Sequence, residues 1–217
     1  MTDRGFTIEI YSDVVCPWCY IGKRRLEQAL ASVGGEARVT WRPFQLNPTM
    51  PHEGLERTAY LEAKFGSLDA FRQMEEHVLA AGAEEHIAFA FDKIARTPNT
   101  FLAHRLIWYA GQQGCQNAMV DSLFQGYFEK GEDIGSFSVL AKLADRAGLK
   151  AEPFLRGQDG TAEVKAEESA GHRLGIRSVP YFLLNGTYAL SGAQPPDRFV
   201  AAFKKVEVDQ LTRKAGA

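Results

Sequence analysis

Apolar residues fall on alternate positions through Phe6-Thr7-Ile8-Glu9-Ile10-Tyr11, the period of a half-buried strand. The period then changes: Trp18, Ile21, Leu26 and Leu30 recur at helical spacing, and Gly34-Gly35 marks the end of that helix. Ala37-Arg38-Val39-Thr40-Trp41-Arg42-Pro43-Phe44 reads as a second strand. Strand, helix and strand joined by short connections make a βαβ unit, which predicts parallel pairing. From about Leu55 to Leu174 the pattern is helical. Phe101-Leu102, Leu106, Tyr109 and Ala110 form one apolar face, Met119-Val120, Leu123-Phe124 and Tyr127 a second, and Val139-Leu140, Leu143-Ala144 and Ala147 a third. Strand signals return in Tyr181-Phe182-Leu183-Leu184 and Thr187-Tyr188-Ala189-Leu190, on either side of the hairpin dipeptide Asn185-Gly186. After Pro195-Pro196, the residues Phe199, Val200, Phe203 and Val206 mark a last amphipathic helix. The order βαβ, helices, ββα predicts an α/β fold in which one small sheet is interrupted by a helical block.

The change from strand to helix period falls on Cys16-Pro17-Trp18-Cys19. With Cys16 as helix cap and Pro17 in the first helical position, the proline loses no hydrogen bond and its fixed φ suits the turn. Cys19, three residues on, then shares a face with Cys16. A thiolate at Cys16 faces the unpaired N–H groups and the positive end of the helix dipole, which makes it the better nucleophile. A zinc site needs two further ligands, but the remaining cysteine is the isolated Cys115, and His52, His77, His86, His104 and His172 are scattered, so no metal is expected. A structural disulfide across two residues closes too small a loop to constrain the unfolded chain. Thiol–disulfide exchange is the reading that remains.

Composition narrows the setting of that chemistry. The chain has 217 residues, 45% of them hydrophobic, with a net charge of −2, enough for a full core and without the basic surface of a nucleic-acid-binding protein. Met1-Thr2-Asp3-Arg4-Gly5 leads directly into the first strand, with no apolar leader and no membrane-spanning segment in view, so a cytoplasmic location is expected. In a reducing compartment a transient catalytic disulfide is favoured over a lasting one.

The Cys-x-x-Cys at a strand–helix junction, the split sheet, the helical block and Ser178-Val179-Pro180 before the hairpin resemble the thioredoxin superfamily, in its DsbA-like branch. Ser12-Asp13-Val14-Val15 ahead of the dithiol, Pro43-Phe44-Gln45-Leu46-Asn47-Pro48, Pro98-Asn99-Thr100 and Ser191-Gly192-Ala193-Gln194 are similar to FrnE-like proteins. The resemblance extends over nearly the whole chain. It implies a thioredoxin-like fold with a large all-helical insertion, residues 1–50 and 175–217 forming a discontinuous thioredoxin-like domain and residues 51–174 the insertion. It also implies a protein disulfide oxidoreductase or isomerase with Cys16 as attacking and Cys19 as resolving thiol, and a cis-proline at Val179-Pro180 beside the dithiol. Pro17, Trp18, Val179 and Pro180 are the expected substrate contacts. No tightly bound cofactor is expected; glutathione stands as reductant or co-substrate, and protein thiols and disulfides or glutathione as partners, with a homodimer left open.

The same branch includes chromene-carboxylate isomerases and kappa-class glutathione transferases, which have a serine where Cys16 stands. They carry a Gly-x-Asp-Arg segment near the last helix, where this chain has Gly192-Ala193-Gln194-Pro195 and so lacks a carboxylate for the glutathione ammonium. A Cys-x-x-Cys chaperone or binding module is a third reading. Asp13 reads as a proton acceptor during exchange or as a turn residue, and Asn99 or Thr100 as a helix cap preceding His104. Trp18 belongs to an exposed substrate face or packs on the domain junction, Lys23, Arg24 and Arg25 read as a solvated helix face, and Cys115 as a small core residue. The helical block is expected to form a groove over Cys16, walled by Phe44 to Pro48 and by Pro98 to His104.

Overall fold

The computed structural model describes residues 6–34 and 37–215; the opening pentapeptide Met1-Thr2-Asp3-Arg4-Gly5 and Gly35 lie outside the described residues. The elements in chain order are β1 (Phe6–Ser12), α1 (Pro17–Val33), β2 (Ala37–Pro43), β3 (Leu55–Glu56), α2 (Arg57–Phe65) and α3 (Leu68–Glu84). They continue as β4 (Arg96–Thr97), α4 (Phe101–Gln112), α5 (Gln116–Phe124), α6 (Phe137–Arg146), α7 (Glu152–Arg156) and α8 (Thr161–Arg173). The chain returns to the sheet with β5 (Tyr181–Leu184) and β6 (Tyr188–Ser191) and closes with α9 (Pro196–Ala215).

The sheet order is β2-β1-β5-β6, with β1 parallel to β2 and antiparallel to β5. The register places Ile10 between Trp41 and Phe182, so one face of three strands presents large apolar groups together. α1 and α9 pack on this face, Phe199 meeting Phe182 edge to face at 4.8 Å. The opposite face carries Glu9, Tyr11 and Arg42. α8 covers it, the Arg42 guanidinium bridging Glu9 at 2.8 Å and Glu167 of α8 at 2.7 Å. The β2 edge is closed by a side chain: the Gln116 carboxamide accepts from the Trp41 N–H at 2.9 Å and donates to the Trp41 carbonyl at 3.1 Å, as a neighbouring strand would.

The periodic positions of the middle segment are core. Leu106, Ala110, Met119, Leu123, Phe124, Leu140 and Leu143 are all buried, in one cluster with Ile8, Ile10, Trp41 and Phe182 of the sheet. Three local readings change. The segment is not helical throughout, since the two-residue strands β3 and β4 pair antiparallel, Leu55 opposite Thr97. The hairpin loop has three residues rather than two. Asn185 and Gly186 both take left-handed φ (48° and 67°), Thr187 returns its N–H to the Leu184 carbonyl at 3.1 Å, and Asn185 Oδ1 accepts the Thr7 N–H at 2.8 Å. Lys23 is not solvated; its side chain is 2% exposed because α5 crosses that face and brings Asp121 to 2.7 Å, with Glu27 on the other side.

The α8 contact gives a stability prediction. Gly171 lies in the last turn of α8, where Gly→Ala ordinarily gains up to about 1 kcal/mol of propensity. Here the added methyl stands 2.8 Å from the Tyr11 ring, which is held among Phe44, Ile176 and Tyr181. The overpacking outweighs the propensity, and a net loss of about 1–2 kcal/mol is expected as a lowered urea midpoint; a raised midpoint would show that Tyr11 yields freely.

Candidate active site

α1 begins as its sequence dictates. Cys16 is the cap residue in extended conformation (φ −94°, ψ 110°), Pro17 opens the helix, and no side chain caps the first turn, so its N–H groups point toward the Cys16 end. The Cys16 N–H is held by the Asp13 carbonyl at 3.0 Å and its own carbonyl accepts the Cys19 N–H at 3.0 Å. Both thiols are free. Across from them the Val179–Pro180 peptide is cis, and the Val179 carbonyl lies 3.6 Å from Cys16 Sγ. Gly22 permits this approach: a methyl there would come within 3.0 Å of the Pro180 ring.

The two sulfurs differ. Burial, then the hydrogen bond and charge of Cys16, push the Cys19 thiol well above the ordinary cysteine range, while Ser12 and the Asp13 backbone pull weakly the other way. Ser12 Oγ has no other hydrogen-bond partner among the described residues. Cys16 lines a cavity of about 200 Å³; Cys19 does not.

Pro17 and Trp18, both half-buried, line that cavity with Cys16, which makes Trp18 part of the wall rather than an exposed face. Leu46 and Asn47 supply one expected wall. The other is different: Pro98 to His104 do not line the cavity, although the adjacent Thr97 does, and the wall is built by α2 and α3 through Arg57, Tyr60, Lys64, Phe71, Met74 and Glu75. Its floor includes Tyr127 and Phe128, which a π-helical turn at Gln125–Glu129 swings inward. Burial above all pushes the Tyr127 hydroxyl up to about 12. Arg57, Tyr60 and Lys64 went unread in the sequence; their i, i+3, i+7 spacing on one helix face is the signal that carries them.

The segment from Pro98 to His104 turns toward the sheet instead. His104 Nε2 lies 3.1 Å from Asp13 Oδ1, and Asp13 Oδ2 accepts the Leu46 N–H at 2.7 Å; both side chains are almost fully buried. Asp13 is therefore a junction between β1, the Leu46 loop and α4. At the start of α4 it is Asn99 that acts, its Oδ1 accepting the Phe101 N–H at 2.9 Å and its Nδ2 donating to the Met50 carbonyl at 2.7 Å, while Thr100 occupies the cap position without capping. Cys115 is half-buried at the start of α5. Gln194 is occupied locally, donating to the Ser191 carbonyl at 2.7 Å.

A four-stranded sheet of this order, with a dithiol at the start of α1 facing the residue before a cis-proline, defines a thioredoxin-fold protein. A family model of the DsbA-like thioredoxin domain matches residues 7–204, and the chain belongs to that family. The crystal structure of a probable DsbA oxidoreductase from Streptomyces coelicolor superposes with a TM-score of 0.84 at 34% identity, covering 92% of this chain and 89% of that one. An uncharacterized protein of Bacillus subtilis, YwbO, is 28% identical over 211 residues, 95% of this chain and 98% of that protein. The cytosolic disulfide reductase DsbM from Pseudomonas aeruginosa, solved with GSH, shares the fold at a TM-score of 0.62 and 19% identity, over 95% of this chain and 99% of that one.

Two predictions rest on this geometry. His104→Leu removes the partner of a fully buried carboxylate and is expected to cost about 3 kcal/mol in urea unfolding; a loss below about 1 kcal/mol would show that Asp13 finds another partner. The second concerns pH. Because the folded-state pKa of Cys19 is raised, its contribution to stability is full below the unfolded value of about 8.5 and is lost as pH rises above it. The reduced protein should weaken from about pH 8 upward, and Cys19→Ala should flatten that slope.

Proposed function

We propose that the chain is a thiol–disulfide oxidoreductase in which Cys16 exchanges with substrate and Cys19 resolves. The observation that carries this reading is the asymmetry of the pair: both cysteines are buried, but Cys16 borders a cavity at a helix N-terminus, whereas Cys19 lies behind it with its thiol pushed toward the protonated form. In the reducing direction the Cys16 thiolate attacks one sulfur of a substrate disulfide. A Cys16–substrate S–S bond forms, the substrate S–S bond breaks, and the departing thiolate takes a proton from solvent. Forming that bond removes the charge and hydrogen bond of Cys16, two of the causes that keep Cys19 protonated. Cys19 then loses its proton, attacks Cys16 and releases the second thiol, leaving the Cys16–Cys19 disulfide for a thiol reductant.

Pro17 and Trp18 flank the reacting sulfur, and Val179 and Pro180 face it from the strand entrance, where an extended substrate can align along the main chain. Protein and small-molecule thiols and disulfides are the substrates of this reading, with glutathione as reductant or co-substrate; the GSH solved with DsbM supports the latter. A cytoplasmic site of action accords with a dithiol that cycles, and among the described residues no helix is long and apolar enough to cross a membrane.

Disulfide reduction coupled to dithiothreitol tests the roles. Cys16→Ser is expected to abolish turnover by at least about a hundredfold, consistent with loss of the nucleophile. Cys19→Ala should instead accumulate a mixed disulfide at Cys16, detectable by intact mass. Equal residual activity in the two variants would reject the assignment.

A further inference from the structure

The cavity at Cys16 carries charge that the exchange chemistry leaves unused. The Arg57 side chain is only 14% exposed and lies over the Phe71 and Phe91 rings, 5.5 Å from each centroid. Among the described residues its guanidinium makes no hydrogen bond, and the carboxylate beside it, Glu75 Oε1, stands 3.9 Å away. Burial raises Glu75 above its ordinary range despite Arg57, so it is a weak counter-ion. Along the same wall Lys64 Nζ donates to Tyr60 Oη at 2.7 Å, and Tyr60 donates to Asn47 Oδ1 at 2.9 Å. Two cations thus face one poorly placed carboxylate. Apart from the Cys16 thiol, Thr97 and Tyr127 the rest of the lining is mainly apolar, and Leu46 and Met74 remain exposed at its edge (36% and 38%). At about 200 Å³ the space is below the roughly 300–1,000 Å³ of pockets for drug-sized ligands. It holds one ring-sized group against Cys16.

Resting on the exchange reading above, the geometry points to a substrate class: low-molecular-weight disulfides whose thiol half has a ring-sized apolar body and a carboxylate, the carboxylate pairing with Arg57 and, at the edge, with Lys64. The electron balance is that of the exchange itself. Cys16 and Cys19 give two electrons to the disulfide, two carboxylated thiols leave, and two equivalents of a thiol reductant, or one of a dithiol, restore the enzyme and leave as a disulfide.

The test compares bis(para-carboxyphenyl) disulfide with bis(para-carbamoylphenyl) disulfide, which differ in charge but hardly in shape. Glutathione disulfide and hydroxyethyl disulfide are run beside them, each kcat/KM divided by the rate of the same disulfide with dithiothreitol alone. The carboxylate form should be preferred over the amide by about tenfold, the scale of one charge-assisted hydrogen bond. That ratio should fall toward one in Arg57→Gln, fall less in Lys64→Gln, and recover in part in Arg57→Lys. Being internal to each variant, it does not depend on the fraction folded, and Lys64 is exposed enough that its variant tests the charge even if Arg57→Gln folds poorly. A ratio near one in the unaltered protein, a ratio unchanged in both Gln variants, or a higher normalised rate for glutathione disulfide would overturn the substrate class while leaving exchange intact. Absence of turnover with every disulfide would overturn the exchange reading itself.

Discussion

The buried carboxylate of Asp13 is satisfied by one main-chain N–H, that of Leu46, and one imidazole, that of His104. Its own carbonyl holds the Cys16 N–H, and its N–H favours the anion of Cys19. The turn between β1 and α1 is thereby joined at one residue to two segments distant in sequence, the loop after β2 and the first turns of α4. A carboxylate in that position cannot be left half-paired, because the desolvation cost of an uncompensated charge is several kcal/mol. The Asp13 carboxylate thereby places the Leu46 wall and α4, while its carbonyl holds the Cys16 N–H.

Lys23 imposes a second constraint of the same kind one helical turn beyond Cys19. Its ammonium, buried between Glu27 and Asp121, joins α1 to α5. Ion pairs of this sort add little net stability over an apolar substitute, but breaking one is costly, so their effect is on registry. α1 is thus pinned at its dithiol end to α4 by way of Asp13 and one turn later to α5. The apolar core between these points, with Tyr20 stacked on Phe124 at 5.0 Å, supplies the bulk of the favourable free energy.

How much of this was legible in the sequence follows from the range of each signal. The strand period of Phe6 to Tyr11, the helical spacing from Trp18 to Leu30 and the Cys16-Pro17-Trp18-Cys19 run are local, and local patterns determine local structure. The faces of α4, α5 and α6 were legible for the same reason. What was not legible is pairing across the chain. Lys23 looks like a surface residue until Asp121 is brought to it, and Asp13 could be read as a turn residue or as a reactive one until His104 is seen to occupy it. The second cavity wall was misplaced because Pro98 to His104 and Arg57 to Lys64 both begin helices beside polar residues. Periodicity says that each has a buried face without saying against what.

The consequence for the site is a division between two kinds of surface. On the sheet side the groups around the sulfurs are held by direct hydrogen bonds: the Leu46 N–H and His104 on the Asp13 carboxylate and the Cys16 N–H on the Asp13 carbonyl, with the Val179 carbonyl beside Cys16. On the far side of the cavity α2 rests mainly on α3 and the two-residue strands β3 and β4, and its polar groups are partnered loosely, Arg57 at 3.9 Å from Glu75. Chemistry that depends on the alignment of two sulfurs needs the first kind of surface, because small displacements there change the reaction. Discrimination between ligands needs groups whose hydrogen-bonding capacity is still open, because only those can gain more from one ligand than from another. In this chain the helical segment supplies the open groups, so, on the proposed exchange reading, variation along α2 and α3 would alter which disulfide is accepted without disturbing the dithiol that the sheet holds in place.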